Sequence, residues 1–181
     1  MSNLYDVVER VAISREEIAA KVAELGAKIT SDYRGKELIL VCVLKGAVVF
    51  FSDLLRHIAL PLTVDTFAAS SYGNGSETSG EVVVEKDLSM DIRGKHVLIV
   101  EDIIDSGYTM RKTVDMFNSR NPASVKICAL LDKPSRRKID INGDYIAFTV
   151  GNEFLAGYGL DYAQLYRNMP DICVLKESVY R

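Results

Sequence analysis

Apolar positions along this chain recur at two periods, and the places where the period changes divide it into elements. From 14 to 33, Ile18, Val22, Leu25, Ile29 and Tyr33 return at helical intervals behind Ser14 and Glu17, which stand at capping-box spacing. The pattern predicts an amphipathic helix over 14–33. "ELILVCVL" (37–44) is apolar on both alternations and predicts a strand buried on both faces. "GAVVFFSDLLRHIAL" (46–60) reads as a helix and "LTVDTFAAS" (62–70) as a strand. The stretch 70–81, "SSYGNGSETSGE", is polar and without periodicity, so a long flexible loop is expected there. "EVVVEKDL" resumes strand character. Val97 to Val100 form the next buried strand, "TMRKTVDMFNSR" (109–120) the next helix, and 124–131, 144–150 and 171–178 three further strands.

Strands alternating with helices of this length indicate parallel crossover units. The expected fold is α/β, a mostly parallel twisted central sheet flanked by helices. A small hood lobe and a flexible β-arm loop are expected to be appended to it. We read one domain over 1–181, with a core over about 35–150 and the hood from the N-terminal segment and about 151–181.

Composition narrows the function classes. The net charge of -3 gives no general attraction to nucleic acid or an anionic membrane. No apolar run approaches the ~20 residues needed to cross a bilayer, and "MSNLYDVVER" lacks the basic and apolar regions of a signal peptide. Cys42, Cys128 and Cys173 lie inside apolar segments and read as reduced core residues. A cytoplasmic protein is expected. His57 and His96 have no acid or cysteine at ligand spacing and read as surface or interface residues.

The chemistry concentrates in "VLIVEDIIDSGYTM" (97–110). A buried strand runs into Glu101 and Asp102, and in open α/β sheets ligands bind at the carboxyl ends of strands. Asp105 to Thr109 then form a turn into a helix, where backbone N–H groups and the helix dipole favour an anion. Ser106 and Thr109 add hydroxyl donors, and Gly107 permits close backbone approach. The spacing matches neither a Walker A loop nor a dinucleotide fingerprint. Adjacent carboxylates suit the vicinal hydroxyls of a ribose, directly or through hydrated Mg²⁺. On residue types alone two readings stay open: a ribose 5-phosphate site, or a helix capped by Asp105 beside two solvated acids. Likewise Leu44-Lys45-Gly46 is either an anion-binding helix start or a plain turn.

"VLIVEDIIDSGYTM" resembles the signature of type I phosphoribosyltransferases, in particular the hypoxanthine-guanine branch. "VLKGAVVFFSDLLR", "SSYG", "LLDKPSRR" and "EFLAGYGLDYAQLYRNMP" resemble the same family in the same order, so the likeness covers most of the chain. It implies transfer of a phosphoribosyl group from phosphoribosyl pyrophosphate to hypoxanthine or guanine, with Mg²⁺, in a homodimer or homotetramer. By the same resemblance Ser106, Gly107, Tyr108 and Thr109 hold the 5-phosphate, Glu101 and Asp102 serve the ribose hydroxyls, and Asp105 accepts the proton at purine N7. Leu44, Lys45 and Gly46 become the pyrophosphate loop, where the bond after Leu44 is expected to be cis. Arg167 joins that loop, and Ser71 and Tyr72 form a lid pair. Lys133 donates to the purine 6-oxo group, Phe154 stacks on the base and Leu155 contacts its edge through backbone. Asp161 belongs to the same pocket and faces the metal with Glu101 and Asp102. Arg136, Arg137 and Lys138 read as a solvated basic face. The chain departs from the pattern at Val150-Gly151-Asn152 and at Leu155-Ala156, which leaves the ranking of 6-oxopurines open.

A regulatory nucleic-acid-binding protein built on the same fold is the alternative from another class. It would need a basic face, for which only 133–138 is available against an acidic whole.

Overall fold

The computed structural model describes residues 4–71 and 82–180, and its apolar runs pair into two sheets. Strand β1 (Val8–Ile13) is followed by helix α1 (Arg15–Asp32), whose start is fixed by the anticipated capping box. The Ser14 side chain accepts the Glu17 N–H, and Glu17 in turn accepts the Ser14 N–H. Then come β2 (Leu38–Val43), α2 (Val48–His57), β3 (Thr63–Ser71), β4 (Val82–Lys86), β5 (His96–Ile104), α3 (Tyr108–Asn118), β6 (Ser124–Asp132) and β7 (Tyr145–Thr149). The chain closes through β8 (Leu155–Ala156), β9 (Ile172–Leu175) and the single turn α4 (Glu177–Tyr180).

The six-stranded sheet has the order β4-β3-β2-β5-β6-β7 and is parallel except for β4, which pairs antiparallel with β3. Period-two alternation divides its side chains between two cores. Leu38, Leu40, Leu98, Val100 and Cys128 face α1 and α2, while Ile39, Val41, Val97, Ile99 and Ile127 face α3. Every residue of β2 is therefore buried, which is why the strand shows no polar alternation. β5 sits at the centre between β2 and β6, so its carboxyl end opens where neighbouring loops converge.

The second sheet, β1-β9-β8, is antiparallel and encloses a small core of Ala156, Met169, Cys173 and Leu175. The sequence pattern anticipates neither β1 nor β8. β1 has only one fully buried residue, and β8 is two residues long. Helix α2 is shorter at both ends than 46–60: 44–47 form the turn of the site, and Ile58 turns to extended backbone. β5 runs four residues beyond Val100, so Glu101 and Asp102 are strand residues and not residues of an emerging turn.

Cys42, Cys128 and Cys173 are buried free thiols. His57 hydrogen-bonds the Asp53 carbonyl and His96 the Ser124 hydroxyl. Among the described residues no helix is long and apolar enough to cross a membrane.

Candidate active site

The carboxyl ends of β2, β5 and β6 place Leu44–Gly46, Glu101–Thr109 and Lys133 at one edge of the sheet. Glu101 and Asp102 are only half-exposed. Burial, then the neighbouring Asp102 charge, pushes the Glu101 carboxyl well up from its ordinary range. Burial also raises Asp102, while hydrogen bonds with Glu101 and from the Ile103 N–H and the Arg167 charge oppose the shift. A folded carboxyl with a raised pKa favours its neutral form. Its stabilising contribution is complete below the unfolded pKa and disappears as pH rises through the folded one. Glu101→Gln is therefore expected to raise the thermal midpoint near pH 8, with the gain shrinking as pH falls towards about 4. A midpoint difference independent of pH would show that the pair is not strained by its charge.

Asp102 is packed against the loop after β2. A Cβ on Gly46 would lie 1.6 Å from Asp102 Oδ2, and a Cβ on Gly159 would lie 2.1 Å from the Gly46 carbonyl oxygen. Only glycine at both positions lets this loop pass between Asp102 and the 157–160 turn. The Leu44–Lys45 peptide is cis, and Lys45 is exposed.

The turn after β5 has no side-chain cap. Gly107 is the N-cap of α3 with φ 91°, so the helix start carries no side-chain cap hydrogen bond. The role of helix cap left open for Asp105 is not one its carboxylate plays. Asp105 Oδ1 faces Arg136 Nε at 3.0 Å, an ion pair without hydrogen-bonding geometry, and this buried oxygen accepts no hydrogen bond.

Behind the turn stands Arg137, which the sequence reading assigned to a solvated face. Its side chain is 13% exposed. Nη1 donates to the carbonyls of Ile104 (2.8 Å) and Asp105 (2.5 Å), and Nη2 to the Asp132 carboxylate. The Ser106 carbonyl accepts from the Lys138 and Ile139 N–H groups. The basic run thus folds back and pins the turn from beneath. Three further bases beside it hid this role, and the Asp at position 132 is the one local signal that could have shown it.

Lys133 is 6% exposed, and burial holds its ammonium below the usual lysine range. Nζ donates to the Glu153 carbonyl at 2.7 Å. The next ring, Phe154, is 37% exposed. Leu155 is buried in β8. Asp102, Asp105, Lys133, Phe154, Leu155 and Asp161 line one cavity of about 740 Å³, together with Ile103, Leu160 and Tyr180.

Two expected residues are engaged with each other. Asp161 pairs with Arg167 Nη2 at 2.8 Å and accepts the Gln164 N–H at 2.8 Å, while Arg167 Nη1 donates to the Gly159 carbonyl at 2.7 Å. Among the described residues no three His, Cys, Asp or Glu side chains converge as a metal cage. The expected trio of Glu101, Asp102 and Asp161 does not form such a group here; Asp161 lines the same cavity as Asp102 and is ion-paired with Arg167. The adjacent Glu101 and Asp102 still fit a Mg²⁺ ion that keeps most of its coordination from water and substrate oxygens. Ser71 ends β3, and Tyr72 with the rest of the expected lid lies outside the described residues.

The phosphoribosyl transferase domain family matches residues 12–163. The chain is 49% identical over 173 residues to the hypoxanthine-guanine phosphoribosyltransferase of Streptococcus pneumoniae, covering 96% of each. It is 51% identical over 173 residues to the Bacillus subtilis protein of the same name, again covering 96% of each. A crystal structure of a hypoxanthine phosphoribosyltransferase from Staphylococcus aureus superposes with a TM-score of 0.97 at 44% identity, over 99% of this chain and 98% of that one.

Proposed function

Since the chain belongs to the phosphoribosyl transferase domain family, we propose that it is a purine salvage enzyme. It transfers the 5-phosphoribosyl group from phosphoribosyl pyrophosphate to hypoxanthine or guanine, giving IMP or GMP and pyrophosphate. The observation that carries the substrate is the shared cavity, in which a buried ammonium, an aromatic ring and the Asp102 and Asp105 carboxylates face one space.

In this reading the 5-phosphate lies on the turn Ser106–Gly107–Tyr108–Thr109, held by backbone N–H groups and two hydroxyls. Glu101 and Asp102 hold the ribose diol. Leu44, Lys45 and Gly46 receive pyrophosphate, and Arg167 joins them by exchanging Asp161 for it. Phe154 stacks on the base, and Leu155 contacts its edge. Lys133 keeps its bond to the Glu153 carbonyl and turns a second N–H to the purine O6. An ammonium has donors and no acceptor, so it favours 6-oxo over 6-amino purines. As the C1–O bond breaks and pyrophosphate leaves with its electron pair, positive charge develops on the sugar; purine N9 bonds to C1, and Asp105 accepts the N7 proton. Ser71, Tyr72 and the rest of the 71–81 lid keep water from that cation. Glu101 and Asp102, joined by Asp161 once Arg167 has exchanged it for pyrophosphate, would hold Mg²⁺, which would supply charge neutralisation for the leaving group.

The protein works as one domain, its small sheet forming the hood, in the cytoplasm and as a homodimer or homotetramer. Val48 on α2 is an exposed apolar side chain available to such an interface. The reading takes no nucleic-acid partner; of the basic run 133–138, Lys133 is buried and Arg137 is paired, which leaves Arg136 and Lys138 exposed.

Initial rates with hypoxanthine, guanine, xanthine and adenine, with and without Mg²⁺, test the proposal. Turnover is expected with the first two and should vanish with chelator. Lys133→Gln is expected to narrow the preference for 6-oxopurines, because an amide presents either a donor or an acceptor. A uniform loss with all bases would remove Lys133 from base recognition.

A further inference from the structure

Phe154 does not stand alone in the cavity wall. The ring of Tyr180 lies against it, centroids 4.9 Å apart and planes inclined by 18°, and Tyr162 meets it nearly perpendicular, 5.5 Å away at 85°. These are the offset-stacked and edge-to-face geometries that aromatic quadrupoles favour. The backbone on both sides of the pair is registered. The Phe154 carbonyl accepts the Leu175 N–H at 3.1 Å, Leu155 pairs with Val174, and the Lys176 N–H donates to the Val7 carbonyl at 3.0 Å. The strand that fixes the Phe154 backbone therefore also sets α4, and Tyr180 with it. What the backbone leaves free in Phe154 is rotation of its side chain, and the two tyrosines pack against the ring that would turn.

We propose that Tyr180 is a positioning residue for the purine: by stacking on one face of Phe154 it holds the ring so that the opposite face receives the base. The proposal rests on Phe154 as the stacking ring. A half-exposed aromatic side chain without such a neighbour would be ordered only on binding, at a cost in rotamer freedom subtracted from affinity. Stacking by Tyr180 orders it beforehand. The contact uses the ring and not the hydroxyl, so phenylalanine can replace it.

Steady-state kinetics on Tyr180→Ala, Tyr180→Leu, Tyr180→Phe, Phe154→Ala and the double variant Phe154→Ala/Tyr180→Ala test this. Tyr180→Ala is expected to raise KM for hypoxanthine about three- to tenfold, the range an aromatic pair supports. KM for phosphoribosyl pyrophosphate and kcat should stay within about twofold. Tyr180→Leu, which keeps apolar bulk without a π face, should behave as Tyr180→Ala, and Tyr180→Phe as the parent. In the Phe154→Ala background, Tyr180→Ala should add nothing. An unchanged or lowered hypoxanthine KM in Tyr180→Ala would overturn the proposal, as would equal rises in both KM values in Tyr180→Ala and Tyr180→Leu. If Phe154→Ala itself leaves the hypoxanthine KM unchanged, the stacking role of Phe154 falls as well. If Phe154→Ala raises it and Tyr180→Ala does not, only the role of Tyr180 falls.

Discussion

Asp105→Asn is expected to lower kcat for 6-oxopurine transfer by about 10²–10⁴-fold, the usual range for a positioned general base. The substitution keeps the size of the side chain and removes its ability to take a proton. It also ends the ion pair with Arg136, but that arginine is 54% exposed, and exposed pairs contribute little. Because Gly107, not Asp105, caps α3, the helix start and its N–H groups should survive. KM for phosphoribosyl pyrophosphate should therefore change by less than about twofold, which separates loss of chemistry from loss of binding. Undiminished turnover in Asp105→Asn would sink the base assignment. A large rise in KM for phosphoribosyl pyrophosphate would instead show that the carboxylate builds the phosphate turn.

The second large effect falls on stability. Arg137→Met should cost about 3 kcal/mol of unfolding free energy, because removing one partner of a buried pair leaves the other charge uncompensated. Asp132, the partner, is 15% exposed in its side chain, and the Asp105 carbonyl loses its donor while the Ile104 carbonyl keeps only the Lys133 N–H. Urea titration should show a lower midpoint at an unchanged slope. Combining Arg137→Met with Asp132→Asn should cost less than the sum of the single changes, since the second removes the orphaned charge. Strict additivity, or a single-variant loss below about 0.5 kcal/mol, would return Arg137 to the solvated face.

Much of this protein is written locally. The α1 helix, its Ser14–Glu17 capping box and the buried strands β2, β5 and β6 follow from residue order within each segment, because burial repeats with the period of the backbone itself. The same locality makes Glu101 to Thr109 legible as a site: strand, acids, glycine and hydroxyls are contiguous. Contiguity did not reveal how far β5 continues, since the register with β6 carries pairing through Glu101 to Ile104.

Where partners are distant in sequence, residue order says little. β1 is a strand because β9 lies beside it, and only one of its own residues is buried. Gly46 is dictated by Asp102 and Gly159, more than fifty residues away in each case. Arg137 is buried because the chain after β6 folds under the turn after β5, and Tyr180 meets Phe154 because β9 pairs with β8. Periodicity reports which residues seek burial, a property each segment carries alone. Which residues meet there depends on how the segments pack, and no short-range pattern encodes that.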